Sequence, residues 1–117
     1  MTDLIACLSS GKGTWGHVAK VIEGKEWNKV YLITNEAGKD AFKKDNVESI
    51  VIDNKKTISE LALDIKGALN GKINDLEVAL NIVSGEGKEH MAVVSALLQL
   101  GLGIRLVALT PEGVKTI

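Results

Sequence analysis

The sequence has little cysteine and no surplus of positive charge. Its 117 residues include one cysteine, Cys7, so a disulfide within the chain and a cysteine-based metal site are both excluded. The 14 basic residues are outnumbered by 15 acidic residues, which argues against the uniformly basic face that duplex nucleic acid requires. Any anionic ligand must therefore be held by a local group of residues.

A membrane span and a secretory leader are also not expected. The one candidate span, MAVVSALLQLGLGIRLVAL at 91–109, is interrupted by Gln99, by Gly101 and Gly103, and by Arg105. No charged segment followed by a cleavable apolar stretch opens the chain. A reduced thiol at Cys7, expected in a buried strand, fits the cytoplasm. We therefore expect one soluble cytoplasmic domain over residues 1–117.

Short apolar runs alternate with segments of helical periodicity along the chain. This alternation predicts a β-α-β-α-β-α-β-α-β order and an α/β fold with a parallel sheet. The predicted strands are 4–8, 29–34, 48–53, 77–83 and 104–109, and the predicted helices are 15–22, a short one through Ala37, Ala41 and Phe42, one over about 57–70, and 89–100.

The predicted architecture is a Rossmann-like, doubly wound sheet of five parallel strands. Right-handed crossovers give the strand order 3-2-1-4-5, which places strands one and four side by side. Ligands of open α/β sheets bind where the winding reverses, beyond the carboxyl ends of such strands.

Two similar glycine-rich loops follow these two strands. The first reads SGKGT at 10–14 and the second reads SGEGK at 84–88. Each combines glycine backbone, a hydroxyl, a lysine and a following helix, all of which favour phosphate or carboxylate. The alternative is that both are tight connections with no ligand.

Two common phosphate-binding motifs fit less well. The P-loop pattern needs a glycine five residues before a Gly-Lys pair, where Ala6 and Ile82 stand here. The dinucleotide pattern is met by Gly11, Gly13 and Gly16, with Glu36 near the end of strand two, although Ser9 and Ser10 displace its register. A nucleotide- or dinucleotide-binding regulatory module using the first loop therefore stays an alternative.

The second loop resembles a signature of the CRISPR-associated Rossmann fold (CARF) domains, which bind cyclic oligoadenylates. That signature is similar to N-x-T-G-G-T-K-x-M after strand four, and this chain reads NIVSGEGKEHM at 81–91. The resemblance implies a homodimer whose paired loops form a symmetric groove for the cyclic ligand. It also implies a separate effector partner, or a ring nuclease that cleaves the ligand without a metal or other cofactor.

The resemblance assigns site residues by position in the two loops. Ligand contacts are expected from Ser9, Ser10, Gly11, Lys12, Gly13, Ser84, Gly85, Gly87 and Lys88, with Thr34 and Asn35 reaching an adenine. For cleavage, the ribose 2′-OH attacks the adjacent phosphate, Lys88 stabilises the developing charge and Ser10 or Ser9 orients the ribose.

Histidine and tryptophan offer weaker candidates. His17 and His90 begin the helices that follow the two loops, and an acid/base pair is the alternative to structural roles there. Two histidines without nearby carboxylates make a poor metal site. Trp15 is expected to pack the first loop or to make a dimer contact, with stacking on a base as the alternative.

Overall fold

The central strands of the fold form from buried apolar runs of five residues, which turns and amphipathic segments separate. The computed structural model describes residues 2–9 and 12–117, apart from the side chain of Lys12. Within these ranges the elements are β1 (Leu4–Leu8), α1 (Trp15–Glu23), β2 (Val30–Thr34), β3 (Val47–Val51), α2 (Ile58–Leu69), β4 (Glu77–Asn81), α3 (Gly87–Gln99), β5 (Gly103–Thr110) and β6 (Gly113–Thr116), with a 3-10 turn at Lys12–Thr14 before α1.

The strands form one mostly parallel sheet in the order β3-β2-β1-β4-β5-β6. The predicted α/β class is confirmed, and strands one and four are neighbours as expected. The prediction of five parallel strands is wrong, because the described chain adds β6 antiparallel to β5. A tight hairpin makes this possible: Gly113 adopts a φ of +106°, and the Thr110 hydroxyl donates to the Gly113 carbonyl over 2.8 Å.

The short helix predicted between β2 and β3 is also wrong. Residues 35–46 form turns, in which the amide of Gly38 donates to the Asn35 side-chain oxygen over 3.0 Å. A Cβ on Gly38 would lie 2.2 Å from the Thr34 hydroxyl oxygen, so the turn is pressed against the end of β2. Asparagine side chains stabilise such turns in competition with helix, and Ala37 and Ala41 are exposed rather than packed.

The helices cover the two faces of the sheet unequally. Helix α1 packs on one face with Trp27, Val107 and Val114, whereas α2 and α3 pack side by side on the other. The predicted N-cap of α2 is confirmed: Thr57 and Glu60 form a capping box. Within the described ranges, no helix has the length and apolar character needed to cross a membrane.

Candidate functional site

The sheet brings the two glycine-rich loops to the same edge. Strand β1 pairs in parallel with β4, with Leu4 opposite Ala79 and Ala6 opposite Asn81. Parallel neighbours end at a common edge, so residue 9 after β1 and residues 82–86 after β4 lie beside each other. The expected meeting of the two loops is therefore present, although Ser10 and Gly11 of the first loop lie outside the described residues.

Direct hydrogen bonds join the two loops. The Ser9 amide donates to the Ser84 hydroxyl oxygen over 3.3 Å, and the Ser9 hydroxyl donates to Glu89 Oε1 over 2.7 Å. Both serines are buried, Ser84 completely. A hydroxyl has one hydrogen to donate, so the Ser9 hydroxyl is committed to Glu89 in this arrangement.

Glu89 is the functional-site residue that the sequence analysis missed. Its side chain is 2% exposed, and Oε1 also accepts the Glu86 amide over 2.9 Å. A buried carboxylate needs such donors, and its place in the first turn of α3 adds the favourable field of the helix N-terminus. The sequence signal was weak, because the capping box that Glu89 completes begins with Glu86 rather than with the serine, threonine, aspartate or asparagine of the usual signature.

The Glu89 carboxylate also acts on the thiol of the strand below. Burial, and to a smaller extent the charge of Glu89, raises the pKa of Cys7 from 9.0 to about 12. The thiol therefore stays protonated at neutral pH and contributes packing rather than reactivity, as the sequence predicted.

The glycines of the two loops differ in what surrounds them. Gly85 has a φ of +99°, and a Cβ there would lie 3.0 Å from both Glu89 Oε1 and the Ser9 hydroxyl oxygen. At Gly87 and Gly13, a Cβ would meet nothing within 4 Å. Gly85 is thus required by the fold of the second loop, whereas Gly87 and Gly13 border open space in which a ligand could lie.

Lys88, the expected catalytic residue, reaches across to a third loop. Its Nζ donates to the Asn54 carbonyl over 2.8 Å, and that carbonyl lies between β3 and α2. The other predicted cation, Lys12, has no described side chain, and Ser10 lies outside the described residues. The placement of Lys88 links the second loop to the carboxyl ends of β2 and β3.

A depression of about 490 Å³ lies at those carboxyl ends, lined in part by Asn35, Val51, Asp53 and Asn54. Asn35, an expected adenine contact, therefore borders a cavity. Thr34, the other one, is fully buried, and its hydroxyl donates to the Asn35 carbonyl over 3.4 Å. The structure thus places Asn35, but not the Thr34 side chain, where a ligand can reach it.

The two histidines make hydrogen bonds with backbone and amide groups. His17 Nε2 lies 3.2 Å from Asn81 Nδ2 and accepts the Leu109 amide over 3.3 Å. Because both neighbours are donors, the network assigns the neutral ring with its proton on Nδ1. His90 Nε2 lies 2.8 Å from the Ser84 carbonyl, to which it donates. These contacts give both rings structural partners.

Trp15 fastens the first loop. Its indole Nε1 donates to the Ser9 carbonyl over 3.0 Å, and the ring packs against the core on the α1 side of the sheet. The expected packing role is therefore present. Trp27 is buried elsewhere, with its Nε1 donating to the Val21 carbonyl.

The described residues contain no group of three or more histidine, cysteine, aspartate or glutamate side chains that could hold a metal ion. The crevice offers an anion the backbone of two loops and the Lys88 ammonium, while the carboxylates of Glu86 and Glu89 cap the N-terminal turn of α3. No protein-family model matches the chain, and no curated protein is significantly similar to it.

Proposed function

We propose that this chain is a CARF-like sensor that binds a cyclic oligoadenylate as a homodimer. In this proposal the sheet is a Rossmann-like, doubly wound sheet extended by the antiparallel strand β6. The observation that carries it is the pair of hydrogen bonds from Ser9 to Ser84 and Glu89, since these hold two S-G-x-G loops together at the edge where such sheets bind ligands.

The contacts divide into groups that touch the ligand and groups that position the loops. Ligand phosphates contact the backbone amides around Gly13, Gly87 and Lys88, where open space borders the glycines. Ser9 and Ser84 act through their hydrogen bonds to each other's loops rather than through free hydroxyls. Asn35, at the 490 Å³ depression, contacts an adenine.

Lys88 supplies the mobile positive charge of the site. Its ammonium group is bound to one backbone carbonyl, that of Asn54, an interaction that a phosphate can replace because the charge-assisted bond to an anion is stronger. Lys88 and Ser10 also remain the groups proposed to assist ring cleavage. A protein that only binds would instead pass its signal to a separate effector.

The test is calorimetric titration with cyclic tetra-adenylate and cyclic hexa-adenylate, with NAD as control. We expect binding of one ring per two chains. Because the ring contacts Lys88 of both chains, Lys88→Met should weaken binding roughly a hundredfold to ten-thousandfold, the loss of two charge-assisted hydrogen bonds of about 1.5–3 kcal/mol each. Lys20→Met is the matched control, because this exposed lysine lies in the last turn of α1, away from the loops.

Further outcomes of the titration separate a ring nuclease, a sensor and a dinucleotide-binding module. Linear products in the recovered nucleotide make the protein a ring nuclease, whereas an unchanged ring makes it a sensor. Binding of NAD that does not respond to Lys88→Met favours the dinucleotide module at the first loop. No heat with either ring, on protein that is folded, overturns the proposal.

A further inference from the structure

The two outer strands of the sheet differ in how they are protected from pairing with another chain. Strand β6 is four residues long and includes Gly113 and Lys115. Strand β3 is Val47–Val51, and its sequence VESIV contains no glycine, proline or lysine. Its one charged residue, Glu48, forms an ion pair with Lys72. Because short strands, lysine and proline are the usual protection of a sheet edge, β3 is the less protected of the two.

The backbone of β3 directs every second residue away from the sheet. The Asn46 carbonyl accepts the Val30 amide, and the Ile52 amide donates to the Thr34 carbonyl, both over 2.8 Å. In a parallel strand both polar groups of a residue point to the same side, and successive residues alternate, so the even-numbered residues pair with β2. The outward backbone groups, which we name the β3 edge, are those of residues 47, 49 and 51.

Most polar groups of the β3 edge have no hydrogen-bond partner among the described residues. The Val47 amide closes a turn by donating to the Lys44 carbonyl over 3.1 Å. No hydrogen bond joins the Val47 carbonyl, or the amides and carbonyls of Ser49 and Val51, to another described residue. Val51 is 43% exposed, so another chain can reach this row. Donors and acceptors repeated at every second residue match the backbone of an extended peptide.

A depression of about 430 Å³ lies beside the β3 edge, on the side of the sheet that α1 covers. Its lining includes Val47 and Ser49 of β3, and Phe42 and Lys44 of the turns before β3. Ser49 pairs with Leu32, which belongs to the core on the α1 side, so these two β3 side chains point to that side. A strand added at the β3 edge holds alternate side chains over the depression, because the side chains of a strand alternate between faces.

The charges around the depression favour an acidic side chain there. Three lysines and two aspartates line it. Lys39 and Lys43 form ion pairs with Glu36 and Asp40. The remaining lysine, Lys44, is exposed and forms no ion pair with a described residue. A carboxylate of a bound peptide can therefore pair with the Lys44 ammonium.

We propose that the β3 edge binds an extended peptide of another protein as an added strand. The peptide backbone pairs with Ser49 and Val51, an apolar side chain packs on Phe42 and Val47, and a carboxylate two residues away pairs with Lys44. A second copy of this chain fits less well, because the corresponding face of its β3 carries two valines and a serine and brings no carboxylate to Lys44. The proposal involves no nucleotide, so it stands or fails independently of the proposed function.

Selection from a displayed library of random linear peptides, against the full chain without nucleotide, tests the β3 edge. We expect the selected peptides to share an apolar and an acidic residue two positions apart. An added strand uses every second amide, so methylating one alternate set of backbone nitrogens should raise the dissociation constant roughly tenfold or more, and methylating the other set should have much less effect. Equal effects of the two sets overturn the added-strand arrangement.

A proline in β3 tests the same contact from the side of the protein. Ser49→Pro removes an outward amide and leaves the residues that pair with β2 in place, so it should raise the dissociation constant roughly tenfold or more. Thr116→Pro is the matched control on the other outer strand. The Thr116 amide points away from β5, because the next residue, Ile117, donates its amide to the Leu106 carbonyl. This control should change the dissociation constant less than about twofold.

Lys44→Glu tests the charge contact even if the proline variant fails to fold, because Lys44 is exposed. It should weaken binding of a selected acidic peptide roughly fivefold or more, and less at high salt, whereas Lys115→Glu on β6 should have little effect. No enriched peptide, or equal binding to the wild-type chain, Ser49→Pro and Lys44→Glu, overturns the proposal. Self-association that Ser49→Pro abolishes, with no peptide bound, assigns the edge to a second copy and also overturns it.

Discussion

The two glycines of the second loop have different surroundings. In the second loop, Gly85 is crowded by the Ser9 hydroxyl and the Glu89 carboxylate, and its φ is positive. Gly87 of the same loop and Gly13, which holds the matching position in the first loop, both border open space and have no positive φ. The two glycine positions of the S-G-x-G pattern therefore differ: in the second loop the first is a structural junction, and the second is accessible in both loops.

The largest expected effect comes from adding a methyl group to the crowded glycine. Gly85→Ala should lower the free energy of unfolding by roughly 2–4 kcal/mol, because a positive φ costs an alanine about 1–2 kcal/mol and the crowding adds to it. Gly13→Ala should change it by less than about 1 kcal/mol. Urea denaturation of the two variants measures the difference. Equal losses would contradict the contrast between the crowded and the open glycine.

A smaller effect is expected from neutralising the carboxylate that joins the loops. Glu89→Gln should cost roughly 1–3 kcal/mol, since the buried oxygen accepts two hydrogen bonds. The matched control is Glu60→Gln, in the exposed capping box of α2, where we expect a smaller loss of stability. A double-mutant cycle of Glu89→Gln with Ser9→Ala should show coupling of about 0.5 kcal/mol or more. Additive losses would show that Ser9 and Glu89 act independently.

The Cys7 thiol, which lies beneath the two loops, should make the stability of the fold depend on pH in the alkaline range. The folded-state pKa of Cys7, about 12, exceeds its ordinary value of 9.0, so the folded chain holds this proton more tightly than the unfolded chain. The resulting stability is fully present below pH 9 and is lost as the pH rises toward 12, at up to about 1.4 kcal/mol per pH unit.

The substitution Cys7→Ala removes the thiol and so isolates its contribution to the pH dependence of stability. Between pH 9 and 10.5, the free energy of unfolding of the wild-type chain should fall more steeply than that of the variant. Other groups titrate in this range, but they are common to both proteins. Parallel pH profiles would mean that the thiol ionises equally easily in both states.

The smallest effect on stability is expected at Lys88. Its hydrogen bond to the Asn54 carbonyl is exposed, so Lys88→Met should change the free energy of unfolding by no more than about 0.5 kcal/mol. Thermal and urea unfolding measure it. A loss above 1.5 kcal/mol would assign Lys88 a structural role, and a weaker affinity of this variant for nucleotide could then no longer be attributed to a lost contact.

Much of the strand pattern could be predicted from local sequence, but the turns and the added strand could not. Continuous apolar runs such as Leu4–Leu8 are typical of buried strands, so the run itself was sufficient to predict β1. The segment at 35–46 has alanines at helical spacing, yet Asn35 and Gly38 favour a turn against the end of β2. Strand β6 was missed because its stability comes from pairing with β5 rather than from its own four residues.

In the candidate site, too, some features could be predicted from the sequence and others could not. That the loops after strands one and four meet follows from the alternation of strands and helices, because right-handed parallel crossovers allow few strand orders. The direction of each polar side chain does not follow from it. Ser9 turns inward because Glu89 lies beneath it, and Lys88 reaches Asn54 because α3 lies beside α2.

The sequence by itself determined the α/β class, the neighbouring positions of β1 and β4, and the capping box that begins α2. The capping box depends on residues close together in the chain, and the other two features follow from general rules for connecting parallel strands. Only the tertiary structure decided that Glu89 is buried between the loops, that Gly85 and not Gly13 must be glycine, and that Met91 and Leu98 of α3 are exposed. These features depend on contacts between residues up to 80 positions apart, such as Ser9 with Glu89. Local periodicity carries no information about such contacts.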